Sequence, residues 1–203
     1  MFRFPSFRLL VLGSLVATSA VAADTPALKV LTVDNGVNQL TLLGEPAMAV
    51  RAWRENYNAH GFDVVSFYVR DKAAGEKAFW NVVPVFGQIT RGDTAERLEI
   101  TVGGGADCVL HDFRLLHSDD DKRVMLVIAQ RDMGDSFADA APVHFTWYEL
   151  AKNEDETPGE PWLSFRQARV TQAAKPYCNV EDAFDKELHL GLTSGNGGPG
   201  DTE

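Results

Sequence analysis

Only two cysteines, Cys108 and Cys178, occur in the 203 residues. That scarcity excludes a cysteine-dense secreted scaffold, and no paired Cys-x-x-Cys is present to hold zinc or run dithiol exchange. Positive charge is also in short supply, with 19 Lys and Arg against 29 Asp and Glu. Phosphate backbones and anionic lipid need clustered cations, so nucleic acid and membrane surfaces are poor partners. No apolar run beyond the first 22 residues approaches the length of a membrane helix. The chain has no His-Glu-x-x-His, no His-x-His, no Gly-x-Ser-x-Gly and no Ser-x-x-Lys. Nothing in the pattern therefore marks a catalytic site, and no cofactor is implied.

What is present begins with an export signal. Arg3 and Arg8 precede an apolar stretch from Leu9 to Ala20, and Ala20-Val21-Ala22 offers small residues for cleavage. Residues 1–22 are expected to be a signal peptide, which points to the periplasm or the exterior; a retained anchor is the alternative. Residues 23–191 then form a single β-rich domain, and 192–203, without packing residues beyond Leu192, a disordered tail. Loss of Arg3 and Arg8 moves the formal charge from −10 to −12. A basic protein such as a lysozyme is favoured electrostatically as a partner. The plainer explanation is solubility.

The domain reads as short alternating apolar runs separated by turn residues. "LKVLTVDNGVNQLTLLG" suggests two strands in a hairpin about Asn35-Gly36. "AMAVRAWR", "DVVSFYVR", "AFWNVVPVFG", "RLEITVGGG", "CVLHDFRLLHS", "RVMLVIAQRD", "VHFTWYELAK" and "WLSFRQARVTQ" follow. Pro84 places its strand at an edge or a bulge. About nine or ten strands are expected, in an antiparallel β-sandwich or barrel. One C-terminal helix follows in "NVEDAFDKELHLG", with Asn179 as cap, Ala183, Phe184, Leu188 and Leu190 inward, and Gly191 as terminator.

In an exported chain two cysteines are read as one disulfide, Cys108–Cys178. The competing reading makes Cys108 a nucleophile with His111 as base and Asp112 behind it, but on a strand Cys108 and His111 face opposite sides. Gly103 to Gly105 precede a strand rather than a phosphate-binding helix, so a turn with positive φ is expected. Candidate metal ligands are His60, Asp63, Asp107, His111, Asp112, His117 and His144, at no recognised spacing. The runs Asp119-Asp120-Asp121 and Asp132, Asp135, Asp139 miss the calcium-loop spacing. No metal site is assigned.

The segment "AWRENYNAHGFDVVSFYV" is rich in the side chains that binding surfaces use. Trp53, Arg54, Asn56, Tyr57, Asn58 and His60 are candidate binding residues for a small polar ligand or a protein. The alternative is that Trp53 and Phe62 anchor a loop whose asparagines make turns. Trp80, Trp147 and Tyr148 are candidate core aromatics.

Four blocks, "WRENYNAHGFDVVSFYV", "GGADCVLHDFRLL", "FTWYEL" and "PYCNVEDAF", resemble the exported carbapenem self-resistance proteins of the CarG family. The resemblance runs from about Val33 to Gly191. It implies a periplasmic, non-enzymatic protein that protects by binding either a β-lactam or its target, and it transfers no functional residue. An inhibitor of lysozyme or of a protease, and an unrecognised hydrolase or metal enzyme, are the other readings.

Overall fold

A computed structural model describes residues 27–71, 79–88, 94–105, 107–136 and 138–192. The expected signal peptide and the tail beyond Leu192 lie outside them. Twelve strands and one helix make up the described part: β1 (Leu28–Leu31), β2 (Gly36–Leu42), β3 (Glu45–Arg54), β4 (Phe62–Asp71), β5 (Phe79–Val82), β6 (Val85–Gln88), β7 (Thr94–Arg97), β8 (Ile100–Gly103), β9 (His111–Ser118), β10 (Val124–Arg131), β11 (Val143–Lys152), β12 (Leu163–Gln172) and α1 (Val180–Leu188).

The strands form one sheet in the order β2-β3-β4-β8-β9-β10-β11-β12-β6-β7, with β1 added to β9 and β5 to β4. It is neither a two-sheet sandwich nor a closed barrel, and it is mixed, since β6 runs parallel to β12. Two junctions fold it over. Along one edge of β4, Phe62–Val65 pair with β8 while Tyr68–Asp71 pair with β5. β8 is joined to β9 by the single pair Gly103↔His111. The expected strand "AFWNVVPVFG" is broken at Pro84, which has no N–H to donate. Its first half stays with β4 and its second crosses to β12, with Val83 N donating to Phe67 O and Pro84 O accepting from Phe165 N. That split, and the additional β7 just ahead of the expected run "RLEITVGGG", account for the strands beyond ten.

The hairpin expected at Asn35-Gly36 is absent: β1 pairs with β9 and β2 with β3. Asn38 holds the connector instead, accepting from Asp34 N and donating to Asp34 O. The tight turn is Leu43-Gly44, between the paired Leu42 and Glu45, with φ of 51° and 77°. Two successive left-handed residues match the strand twist. Gly44 supplies this conformation at no steric cost, whereas Leu43 adopts it against its preference.

Folding the sheet encloses a core of Val65, Phe67, Phe113, Leu115, Leu126, Leu150 and Phe165 with their neighbours. Phe67 meets Phe113 and Phe165 edge-on, at 6.2 and 5.4 Å between centroids. The outer face of β9–β11 is covered by α1, where Val180, Ala183 and Phe184 are buried against Val127, Phe145 and Trp147. Leu188 and Leu190 pack at its margin, as their spacing predicts. With both faces covered, "VMLVIA" is continuously apolar rather than alternating.

Cys108 and Cys178 are joined. Cys108 lies in the connector before β9, not on the strand, and is 2% exposed. The bond ties the approach to β9 to the approach to α1. Asn179 stands at the helix N-cap position, but its side chain does not cap. It accepts from Val109 N at 2.7 Å, while Val180 N donates to Val109 O. The helix ends at His189 in a left-handed conformation, two residues before the expected Gly191.

Candidate functional site

The two unusual stretches of the sequence meet at one end of the sheet. β4 begins at Phe62, which pairs with Gly103, which pairs in turn with His111. The aromatic loop 55–61 and the glycine turn 103–105 are thereby neighbours. Gly103 and Gly104 have φ of 100° and 94°, the backbone expected of them. A Cβ at Gly105 would lie 2.0 Å from Cys108 O, so the third glycine answers to close approach.

Loop 55–61 is bonded to itself. The Glu55 carboxylate accepts from Trp53 Nε1 at 3.1 Å and from Tyr57 N at 2.5 Å. These bonds, the Trp53 one foremost, hold its pKa below the usual value. Asn56 Nδ2 donates to His60 O, and His60 N to Asn58 Oδ1. Gly61 lies against the Trp53 ring, where a Cβ would come within 2.1 Å of Cζ2. Arg54 stacks on Phe62 at 5.5 Å.

Trp53 is therefore a half-buried anchor, and Asn56 and Asn58 spend their amides on turns. Arg54 and His60 are exposed without converging on a pocket. Tyr57 stands apart: it is 95% exposed with φ of 54°, a conformation uncommon for a tyrosine. The loop forms a braced ridge with one ring at its crest. Glu55 and Gly61, which fix its shape, carry no signal in isolation.

Beside the ridge lies an apolar cleft of about 220 Å³, lined by Phe62, Thr101, Val102, Gly103, Gly104 and His111. Burial pushes the His111 imidazole below its ordinary pKa against the opposing charge of Asp112. Asp112 does not orient His111. It turns to the helix side and pairs with Arg114. The Arg114 guanidinium also bonds Phe113 O and Leu190 O and stacks on Phe184 at 4.3 Å. A second inward pair, Arg51–Asp63 at 2.5 Å, carries Val33 O as a further acceptor. Opposite charges in contact satisfy these four groups, whose work is structural.

A larger cleft, of about 840 Å³, lies at the other end of β4, ten residues and about 30 Å away. Trp162 and Lys152 form one wall and the loop 153–160 another. Asn153 shapes that loop, accepting from Thr157 N and donating to Thr157 O and Glu160 O. Asp71, Glu154, Glu156 and Glu160 face the cleft, with Lys152 as the one cation among the described lining residues. An anion is repelled by such a lining.

The other candidate ligands remain scattered. His144 pairs with Asp132 at 3.3 Å, and Asp121 accepts from Gly44 N. Among the described residues no three His, Cys, Asp or Glu side chains come together in a way that could hold a metal ion.

No family model matches the chain, and no curated protein matches it. Among solved structures it is similar to the crystal structure of CarG, with a TM-score of 0.61 and 22% identity, covering 83% of this chain and 99% of that one. At that identity the likeness is one of fold, and the chain has a CarG-like fold.

Proposed function

We propose that this chain is an exported, non-enzymatic protein of the carbapenem self-resistance type, which protects by gripping a protein partner. The observation that carries this reading is the ridge 55–61: a loop braced by Glu55, holding Tyr57 95% exposed. A rigid exposed aromatic loses little entropy on docking and suits the centre of a protein interface. The CarG-like fold supports the protective role, and the signal-like N-terminus supports a periplasmic setting.

Charge argues against storage of the drug itself. A carbapenem carries a carboxylate, the chain has a formal charge of −10, and among the described residues the larger cleft presents four carboxylates to one lysine. Both thiols are bonded to each other and cannot open the ring.

Two measurements on purified protein test this together. The ring absorbance of a carbapenem should stay unchanged over hours, and equilibrium dialysis should leave the drug evenly distributed. Expression in sensitive cells should nevertheless raise the surviving dose. Accelerated ring opening refutes the non-enzymatic reading, and drug retention refutes the protein-partner reading.

The same ridge favours one second reading. A protruding loop that presents a single side chain is how an inhibitor enters a hydrolase cleft, and acidic charge suits a basic lysozyme. Turbidity assays across lysozymes and proteases separate the two, since an inhibitor slows one of them.

A further inference from the structure

The outer face of β2 to β5 carries the wrong residues for water. A sheet with one side on a core and the other in solvent alternates apolar inward with polar outward. β4 departs from this. Val65, Phe67 and Val69 point into the core, and Phe62, Val64 and Tyr68 on the other side are apolar too. Across the ladders Val64 faces Ala52, and Tyr68 faces Met48 and Val82. Val50 faces Val37, which is 63% exposed. Ser66 Oγ donates to Tyr68 Oη at 3.1 Å, so the polar tips on β4 bond each other. Met48, Val50, Val64 and Tyr68 are half-buried by such neighbours and belong to neither apolar cluster. The described helix lies on β9–β11 and gives this face no cover.

Its charge is also out of keeping with the chain. Among the outward residues of these four strands the charged ones are Arg54 and Arg70, with no carboxylate, although the formal charge of the whole is −10. Both arginines are exposed, one at each end of the face. Arg54 pairs with Phe62 beside the ridge, and Arg70 lies eight residues further along β4, about 26 Å away. With alternate residues ~6.7 Å apart and strands ~4.8 Å apart, the apolar outward positions cover roughly 300 Å². Contiguous patches of that size on a monomer are often functional. A stable complex needs about 800 Å² from each partner, so face and ridge together come nearer to one interface than either alone.

We propose that the outer face of β2 to β5 docks an amphipathic helix of a net-basic protein, whose apolar stripe is closed at each end by a carboxylate that meets Arg54 or Arg70. This rests on the reading that the chain grips a protein partner, and it names what that partner presents beside the ridge. The chain covers its other outer face in the same manner. There α1 sets Val180, Ala183 and Phe184 on β9–β11, with the Arg114 guanidinium against the Phe184 ring. A span of 26 Å fits a helix of about 17 residues. Charge selects the occupant at two ranges. The formal charge of −10 attracts a basic protein from a distance, while at contact the two arginines favour carboxylates and repel lysines. A second copy of this chain has the same net charge and the same arginines, so it is repelled at both ranges.

The test is fluorescence anisotropy with the full mature chain at ~0.15 M salt, where a Debye length of about 8 Å screens the net field. The probe is a labelled helical peptide of about 18 residues, net positive, with a leucine stripe closed at each end by glutamate. In its counterpart lysines replace those glutamates. The first should bind saturably and about tenfold tighter, although the counterpart is the more basic. Arg54→Glu combined with Arg70→Glu should invert the preference. Val64→Glu should abolish binding of both at an unchanged melting temperature, and Val170→Glu, on an exposed valine of β12, should bind as wild type. Tyr57→Asn should still bind the peptide. In cells, Val64→Glu at matched abundance should lower the surviving carbapenem dose. Protection lost in Tyr57→Asn but intact in Val64→Glu overturns the face and spares the ridge, whereas protection intact in both removes the partner reading as well. The proposal is also overturned if neither peptide binds, or if the lysine counterpart binds tighter. The same holds if Val64→Glu instead abolishes binding to phosphatidylglycerol vesicles or splits a dimer in sedimentation, because the face then meets a membrane or a second copy.

Discussion

Replacing both cysteines, as Cys108→Ala with Cys178→Ala, should cost about 4 kcal/mol of stability without changing the native fold. The bond spans 70 positions, and closing a loop of that size removes roughly 4 kcal/mol of chain entropy from the unfolded state. The closed segment contains β9 to β12, the strands that bear both apolar clusters. The native side of the balance should move little, because neighbouring groups hold the same junction. Val109 N still reaches Asn179 Oδ1, Val180 N still reaches Val109 O, and Ala141 still bridges Tyr177. Urea unfolding followed by tryptophan fluorescence measures the difference. The corresponding fall in melting temperature is roughly 10 °C for a domain of this size. Near-ultraviolet circular dichroism without denaturant should match the wild type. A loss below about 1 kcal/mol would refute the entropic argument. A variant whose helix is already undocked in buffer would refute the claim that the junction holds itself.

Three further outcomes follow from buried or half-buried polar groups. Arg114→Met leaves Asp112 buried opposite nothing cationic and should destabilise by about 3–5 kcal/mol in urea unfolding, whereas a change under 1 kcal/mol would mean that Asp112 finds water. Asn179→Ala strands the Val109 N–H rather than a helix N–H, so it should cost about 1–3 kcal/mol, with hydrogen exchange rising at Val109 before the first turn of α1. The third concerns His111, whose folded pKa lies below its ordinary 6.5 because burial disfavours the cation. The unfolded chain then binds the proton first, so stability present above pH 6.5 is lost as pH falls from there towards the lower folded value. His111→Gln should flatten that part of the stability–pH curve, and an unaltered curve would show that His111 is not the group responsible.

Much of the fold was legible where one physical signal dominated. Alternation located the long strands, and the lone cysteine pair announced its bond. The helix face through Ala183 and Phe184 followed from spacing. The misplaced features depended on long-range pairing. Asn35-Gly36 has the chemistry of a hairpin, but β1 gains more by covering β9. Leu43-Gly44 makes the actual turn although leucine is a poor occupant of it. Pro84 marked an interruption without saying that the two halves would join different strands. At the candidate site, composition drew attention to the loop but did not show the bonding within it. Asn56 and Asn58 support the backbone, and Tyr57, 95% exposed, offers its ring outward. Glu55 was overlooked because its role exists only once Trp53 and Tyr57 are folded around it. The larger cleft beside Trp162 is formed by strand ends far apart in sequence, and its loop "NEDETPGEP" looks in isolation like a solvated connection.

The central claim, that protection comes from a protein partner held at the crest of the ridge, is tested most directly by Tyr57→Asn in cells. Asparagine tolerates the positive φ of this position, so the change removes the ring and keeps the loop. The measurement is the surviving carbapenem dose at matched levels of exported protein. The account predicts that protection falls to that of cells lacking the protein while the melting temperature stays within a degree or so of wild type. Full protection by Tyr57→Asn at equal abundance would contradict it.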